Sequence, residues 1–190
     1  MGVNSKDDLG LRRAVFLDRD GTLIEYEEEP VRKDQIRLFH RSGDAVRKLN
    51  DLGFLVLVVT NQPIVEKGIL TLEEANSLSK FMVDELALVG ARIDKVYMCP
   101  HKYGSQCRCR KPNLGMIDDA ANDFKIDMAG SWIVGDTRRD METGKRANLR
   151  TVLVMTGEGG KDTEFFSTVG EFEASDILGA AEIIERESAA

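Results

Sequence analysis

No apolar run in the chain approaches the ~18 residues of a membrane-spanning helix. The opening residues, MGVNSKDDLGLRR, lack the apolar centre of a secretory signal. Gly2 suits a myristoylation signal, but Lys6 stands where that signal wants serine or threonine. A cytoplasmic protein is therefore expected. Cysteine is scarce too: three in 190 residues, all between positions 99 and 109. An odd number cannot form a fully paired disulfide framework, and its confinement to one short window points to a metal. Basic residues are outnumbered, 26 Lys and Arg against 33 Asp and Glu, for a net charge of -7. That balance argues against a nucleic-acid partner or an acidic membrane surface, because phosphate backbones would be repelled. A small anionic substrate stays compatible if the site supplies local positive charge. There is no internal repeat and no low-complexity segment, and a monomer is expected.

What the chain does contain is alternation. Short apolar runs at residues 14–17, 54–59, 95–98, 131–134 and 151–155 read as strands. They are mostly apolar throughout rather than alternating, as expected of parallel strands covered on both faces. Between the second and third, Leu72, Ala75, Leu78, Met82, Leu86 and Val89 recur at helical steps. Thr71 and Glu74 suit a capping box at the start of that helix, and Gly90 suits its stop. Further helices fit residues 43–52, 115–124, 138–148 and 177–186. The β-α alternation predicts an α/β fold, a doubly wound parallel sheet with right-handed crossovers. We read residues 1–190 as one domain, with a core over about 14–157 and a tail carrying a helix over 158–190. The glycines from Gly157 to Gly160 are expected to loosen the chain.

Polar residues that follow such strands gather at one edge of the sheet. In "FLDRDGT", Asp18 and Asp20 lie two residues apart, so an extended backbone directs them to one side. Gly21 comes too early for an EF-hand calcium loop. A second pair, Asp136 and Asp140 in "VGDTRRDM", follows a later strand. At ~5 Å and an effective dielectric near 20, each pair of anions repels by roughly 3 kcal/mol. Several carboxylates at one sheet edge therefore call for a cation, and oxygen ligands favour Mg²⁺. Thr60 and Asn61 end the second strand, with a hydroxyl and backbone amides suited to phosphate oxygens, and Lys111 adds a positive charge. Taken singly, these residues also fit turns, helix caps and a surface lysine. Together they are the parts that phosphoryl transfer requires.

In "CPHKYGSQCRCRKP", Cys99, His101, Cys107 and Cys109 supply three thiolates and one imidazole, a complete tetrahedral set for Zn²⁺. A full set leaves no position for a reacting water, so a structural zinc is expected, clipping the backbone just ahead of Arg110 and Lys111.

"FLDRDGT", "VVTNQ", "CRKP" and "VGDTRRDM" occur in an order and spacing that resemble the four motifs of the haloacid dehalogenase (HAD) superfamily of phosphatases. The likeness covers residues 14–157. It implies that Asp18 is the nucleophile and forms an aspartyl-phosphate, and that Asp20 is the general acid and base. It further implies that Asp18, the Asp20 carbonyl and Asp136 hold Mg²⁺, with Asp140 in support, and that Thr60 and Lys111 stabilise the phosphoryl oxygens. Only residues 28–60 separate Glu27 from Asn61, so no large cap domain fits and an open site is expected. "YMCPH" and "CRCRKPNLGM" narrow the resemblance to zinc-loop members that hydrolyse the 7-phosphate of heptose 1,7-bisphosphates, with histidinol-phosphate phosphatases as near relations. In the heptose enzymes the arginine before the motif lysine helps recognise substrate, a role that maps to Arg110. Tyr26, Glu27, Glu28, Glu29, Asn61, Gln62 and Pro63 are expected to line the substrate pocket. A noncatalytic zinc module binding nucleic acid or protein is the reading from another class. Departures from the heptose pattern are "PIVEKG", which brings in Glu66 and Lys67, the acidic "EYEEEP", and Thr137 in place of a lysine.

Overall fold

The structure is a computed structural model and describes residues 10–189 except position 28. In chain order its regular elements are β1 (Ala14–Leu17), α1 (Ser42–Asp51), β2 (Leu55–Asn61), α2 (Leu72–Leu88), β3 (Lys95–Cys99), α3 (Gly115–Phe124), β4 (Trp132–Gly135), α4 (Arg138–Arg146), β5 (Arg150–Val154), β6 (Phe172–Ala174) and α5 (Ile177–Ser188). The strands form one six-stranded sheet in the order β3-β2-β1-β4-β5-β6, parallel throughout. The five expected strands and five helices are present within a few residues of their expected limits.

Strand pleating divides the apolar residues between two cores. Val15, Leu17, Val56, Val58, Trp132 and Val134 point to one face, where α1, α2 and α5 supply Val46, Leu49, Met82, Leu86 and Ile184. Phe16, Leu55, Leu57, Val59 and Ile133 point to the other, against Met116, Ile117 and Ala120 of α3. Each such side chain, fully buried, contributes about 1.5–3 kcal/mol. Both faces are therefore dry, which is why the strands read as continuous apolar runs. Helix α2 starts at the expected capping box: the Glu74 N–H donates to Thr71 Oγ1 at 3.2 Å, and the Thr71 N–H donates to Glu74 Oε2 at 2.7 Å.

Strand β6 is absent from the sequence reading. It is three residues long, pairs only with β5 and keeps Glu173 exposed, so its pattern is that of a polar loop. Among the described residues, no helix is long and apolar enough to cross a membrane.

From β1 the chain runs outward through β2 and β3, then returns to the opposite side of β1 as β4. The carboxyl ends of β1 and β4 are neighbours at this reversal, where open α/β sheets leave a crevice.

Candidate active site

Leu17 at the end of β1 is in register with Val58 of β2 and Val134 of β4. Asp18, one residue later, donates its N–H to the Val134 carbonyl at 2.9 Å, which draws it towards β4. Lys111 arrives from the loop after β3. Its Nζ lies 2.7 Å from Asp18 Oδ1 and 2.6 Å from Asp140 Oδ1, with all three residues buried. Asn61 holds the lysine's backbone on both sides, accepting from its N–H at 3.0 Å and donating to its carbonyl at 3.3 Å. The expected helix cap at Asp140 is also present: Thr137 donates its N–H and hydroxyl to Asp140 Oδ2. One carboxylate thus caps α4 with one oxygen and orients Lys111 with the other.

Asp20 occupies a separate position. The buried Arg19 guanidinium grips it at 2.9 and 3.0 Å and also reaches Ser79 Oγ at 3.2 Å. Gln62 Nε2 donates to Asp20 Oδ2 and to Thr60 Oγ1, both at 2.8 Å. Thr60 Oγ1 is 3.4 Å from Asp20. Asp18 and Asp20 therefore face one cleft from different environments, the first among carboxylates and the second against an arginine.

Asp18, Asp136 and Asp140 converge so that their carboxylate oxygens lie within 4.8 Å of one another. Among the described residues Lys111 is the one cation paired with this group, so ionisation of all three leaves two negative charges in excess. Burial, followed by the neighbouring Asp18 and Asp140 charges, pushes Asp136 up to about 8. Burial likewise pushes Asp18 up to about 6, although Lys111 opposes the rise. For Lys111, burial disfavours the charge, but Asp140 and Asp18 outweigh it and hold its pKa above the ordinary value. Asp136 Oδ2 accepts the Glu158 N–H at 2.7 Å, while its Oδ1 is buried without a partner. A Cβ added at Gly21 or Gly157 would lie 2.2 or 2.1 Å from Asp136 Oδ2, so both turns close tightly over this carboxylate. An unpartnered oxygen, an excess of two charges and hard oxygen donors fit Mg²⁺. Both oxygens of Asp140 are already engaged, so Asp18 and Asp136 are the carboxylates with an oxygen left to offer a cation.

The Cys/His loop stands apart from this carboxylate group. Cys99, His101, Cys107 and Cys109 bring their ligand atoms within 4.8 Å of one another. The Cys109 and Cys99 sulfurs are 3.0 Å apart, well beyond a disulfide bond, and the cysteines are free. Burial and the adjoining Cys109 thiol push Cys99 far above the usual thiol range, so a thiolate at Cys99 needs a cation. Four soft donors in a closed group suit a tetrahedral Zn²⁺. The loop is tied down elsewhere as well. Arg110 Nη1 donates to the His101 carbonyl at 2.8 Å, and Asn113 Nδ2 to the Cys107 carbonyl at 2.7 Å.

Above Asp18 opens a cleft of about 300 Å³. Its walls include Tyr26, Glu27, Glu29, Asn61, Gln62 and Pro63, and Arg110 faces it from the Cys/His loop. Glu28, also expected here, lies outside the described residues. The acidity of "EYEEEP" is offset locally. Arg37 pairs with Glu25 at 2.8 Å and with Glu27 at 2.5 Å, and Lys67 pairs with Glu29 across the mouth. Glu66 does not face the substrate space. Its Oε2 accepts from the Lys102 N–H and the Ser105 hydroxyl, each at 2.6 Å, which fastens the loop after β2 to the Cys/His loop.

These features match known proteins along most of the chain. The HAD-hydrolase-like family matches residues 108–180. A D-glycero-β-D-manno-heptose-1,7-bisphosphate 7-phosphatase of Yersinia pestis is 39% identical over 153 residues, covering 76% of this chain and 81% of that protein. The chain belongs to the heptose-bisphosphate phosphatase family of HAD-like hydrolases. A Rhodopseudomonas palustris protein of the same name is 38% identical over 146 residues, covering 73% of this chain and 81% of its own. A D,D-heptose 1,7-bisphosphate phosphatase from B. bronchiseptica, solved with magnesium and phosphate, superposes with a TM-score of 0.84. It is 30% identical, and the match covers 92% of this chain and 99% of that one. The protein is accordingly a phosphoric monoester hydrolase.

Membership in this family does not account for every residue that shapes the cleft. Arg19, Arg139 and Glu158 escaped the sequence reading, and Gly157 was read only as a loosening of the chain. Arg19 carried a signal: between two aspartates that face one way, the pleat turns it towards the interior, where an arginine must find partners. The glycines at 157–160 signalled close approach to Asp136 as well as looseness.

Proposed function

We propose that the protein removes the 7-phosphate of D-glycero-D-manno-heptose 1,7-bisphosphate through an aspartyl-phosphate. The observation that carries this reading is the buried group of Asp18, Asp136 and Asp140 with a single lysine and a residual demand for a divalent cation. Relatives at 36–39% identity bear that substrate in their names, and histidinol-phosphate phosphatase is the nearest alternative. Asp18 and Asp136, with the Asp20 carbonyl, would hold Mg²⁺, which when bound neutralises phosphate charge and orients the group for in-line attack. An Asp18 carboxylate oxygen forms a bond to phosphorus as the bond from phosphorus to the sugar oxygen breaks. Asp20 gives its proton to that sugar oxygen. Asp20 then takes a proton from water, whose oxygen bonds to phosphorus as the bond to Asp18 breaks. Phosphate and alcohol leave, and both aspartates are restored. Lys111 and Thr60 stabilise the phosphoryl oxygens throughout.

A steady-state panel tests the substrate. The α- and β-anomers of heptose 1,7-bisphosphate should give a higher kcat/KM than histidinol phosphate. The reverse order would transfer the assignment to histidinol phosphate.

Cys99, His101, Cys107 and Cys109 would hold a structural Zn²⁺ that fixes the backbone ahead of Arg110 and Lys111. Cys109→Ser should release zinc, measurable by metal analysis, and lower kcat by about 10–100-fold through displacement of Lys111. Zinc loss with unchanged kinetics would separate the loop from catalysis.

A further inference from the structure

We propose that Arg139, acting with Arg110, forms the subsite for the second phosphate of a sugar bisphosphate. The inference rests on the phosphatase reading above and deepens it.

Four cationic side chains line the cleft: Lys67, Arg110, Lys111 and Arg139. Two are already neutralised. Lys111 is held between Asp18 and Asp140, and Lys67 pairs with Glu29. Arg110 and Arg139 have no carboxylate partner among the described residues, and Glu158 on the same cleft pairs with neither. Both line the same cleft, so their like charges face one space. Two like charges held together at a half-buried wall favour an anion between them.

Both arginines are anchored without using up their donors. Arg110 spends one N–H on the His101 carbonyl, and a guanidinium carries five. Arg139 lies over the Phe166 ring, 5.7 Å from its centroid, a contact that takes no N–H at all. Its backbone is set by Asp162, which accepts the Arg138 N–H at 2.7 Å and the Arg139 N–H at 3.2 Å. The subsite is thus framed by the Cys/His loop on one side and the Asp162–Phe166 turn on the other. Planar forks of this kind bind phosphate through paired, charge-assisted hydrogen bonds. The catalytic end of the cleft supplies Lys111 for the reacting phosphate, which leaves these two arginines for the distal one.

The test compares kcat/KM for heptose 1,7-bisphosphate with that for heptose 7-phosphate in the wild type, Arg139→Gln and Arg139→Lys. The wild type should prefer the bisphosphate. Arg139→Gln should reduce the ratio of the two constants by about 10–100-fold, mainly through the KM of the bisphosphate. Arg139→Lys, which keeps the charge but loses the fork, should reduce it by at least about 3-fold, and it decides the matter if the glutamine variant does not fold. A ratio unchanged in the lysine and glutamine variants, or an equal fall for both substrates, would overturn the subsite. Absence of any bisphosphate preference in the wild type would instead remove the substrate proposed above.

Discussion

Asp18→Asn should lower kcat by about 10³–10⁵-fold while making the metal-free protein more heat-stable. In the proposed mechanism the loss follows from removing the oxygen that bonds to phosphorus, since neither Lys111 nor Thr60 can replace a nucleophile. The gain in stability follows from the electrostatics. Burial raises the folded-state pKa of Asp18 to about 6 from 3.8. The stability linked to its protonated form is complete below about 3.8 and is lost as pH rises through about 6. At neutral pH the ionised carboxylate is therefore destabilising, and an amide removes that burden. Each kcal/mol recovered raises Tm by about 2–4 °C in a chain of this size. Calorimetry with and without Mg²⁺, beside a phosphate-release assay, checks both parts. A variant that lost activity and stability together would mark Asp18 as a structural residue.

Lys111→Met should reduce both activity and stability. Lys111 is 4% exposed and bridges Asp18 and Asp140, the second of which is fully buried. Removing one partner of a buried ion pair leaves an uncompensated charge and costs about 3–5 kcal/mol. The lost stabilisation of phosphoryl oxygens should lower kcat by about 10²–10⁴-fold. The double variant Lys111→Met/Asp140→Asn separates these effects. It eliminates the more deeply buried of the two stranded carboxylates, so much of the stability should return while turnover stays low. Denaturant melts and initial rates on the same samples provide the comparison. Recovery of turnover in the double variant would show that Lys111 serves only to balance Asp140.

The cleft residues at the sheet edge were legible because strand ends and short turns carry them. Asp18, Thr60, Asn61 and Asp136 each follow or end an apolar run, and a parallel sheet delivers such positions to one edge. The Cys/His group was legible because its donors lie within eleven residues and soft ligands in that number have few other uses. Arg139 and Glu66 were not legible in the same way. A charged residue on a helix or loop reads as solvated until the opposing surface is known. Glu66 stands out in the sequence only as a departure from the heptose pattern, and in the fold it fastens one loop to another. Asp140 was read as either a cap or a site residue, and its two oxygens divide the tasks.

Local chemistry and periodicity determined the elements other than β6, the order of the motifs and the donor types, because these depend on residues within a few turns of each other. Only the folded chain decided which charges meet. Through approaches between distant segments, Lys111 chooses Asp18 and Asp140, Lys67 chooses Glu29, and Arg139 has no acidic partner among the described residues. Coulomb energy depends on separation and burial, and neither quantity exists until the sheet has closed those distances.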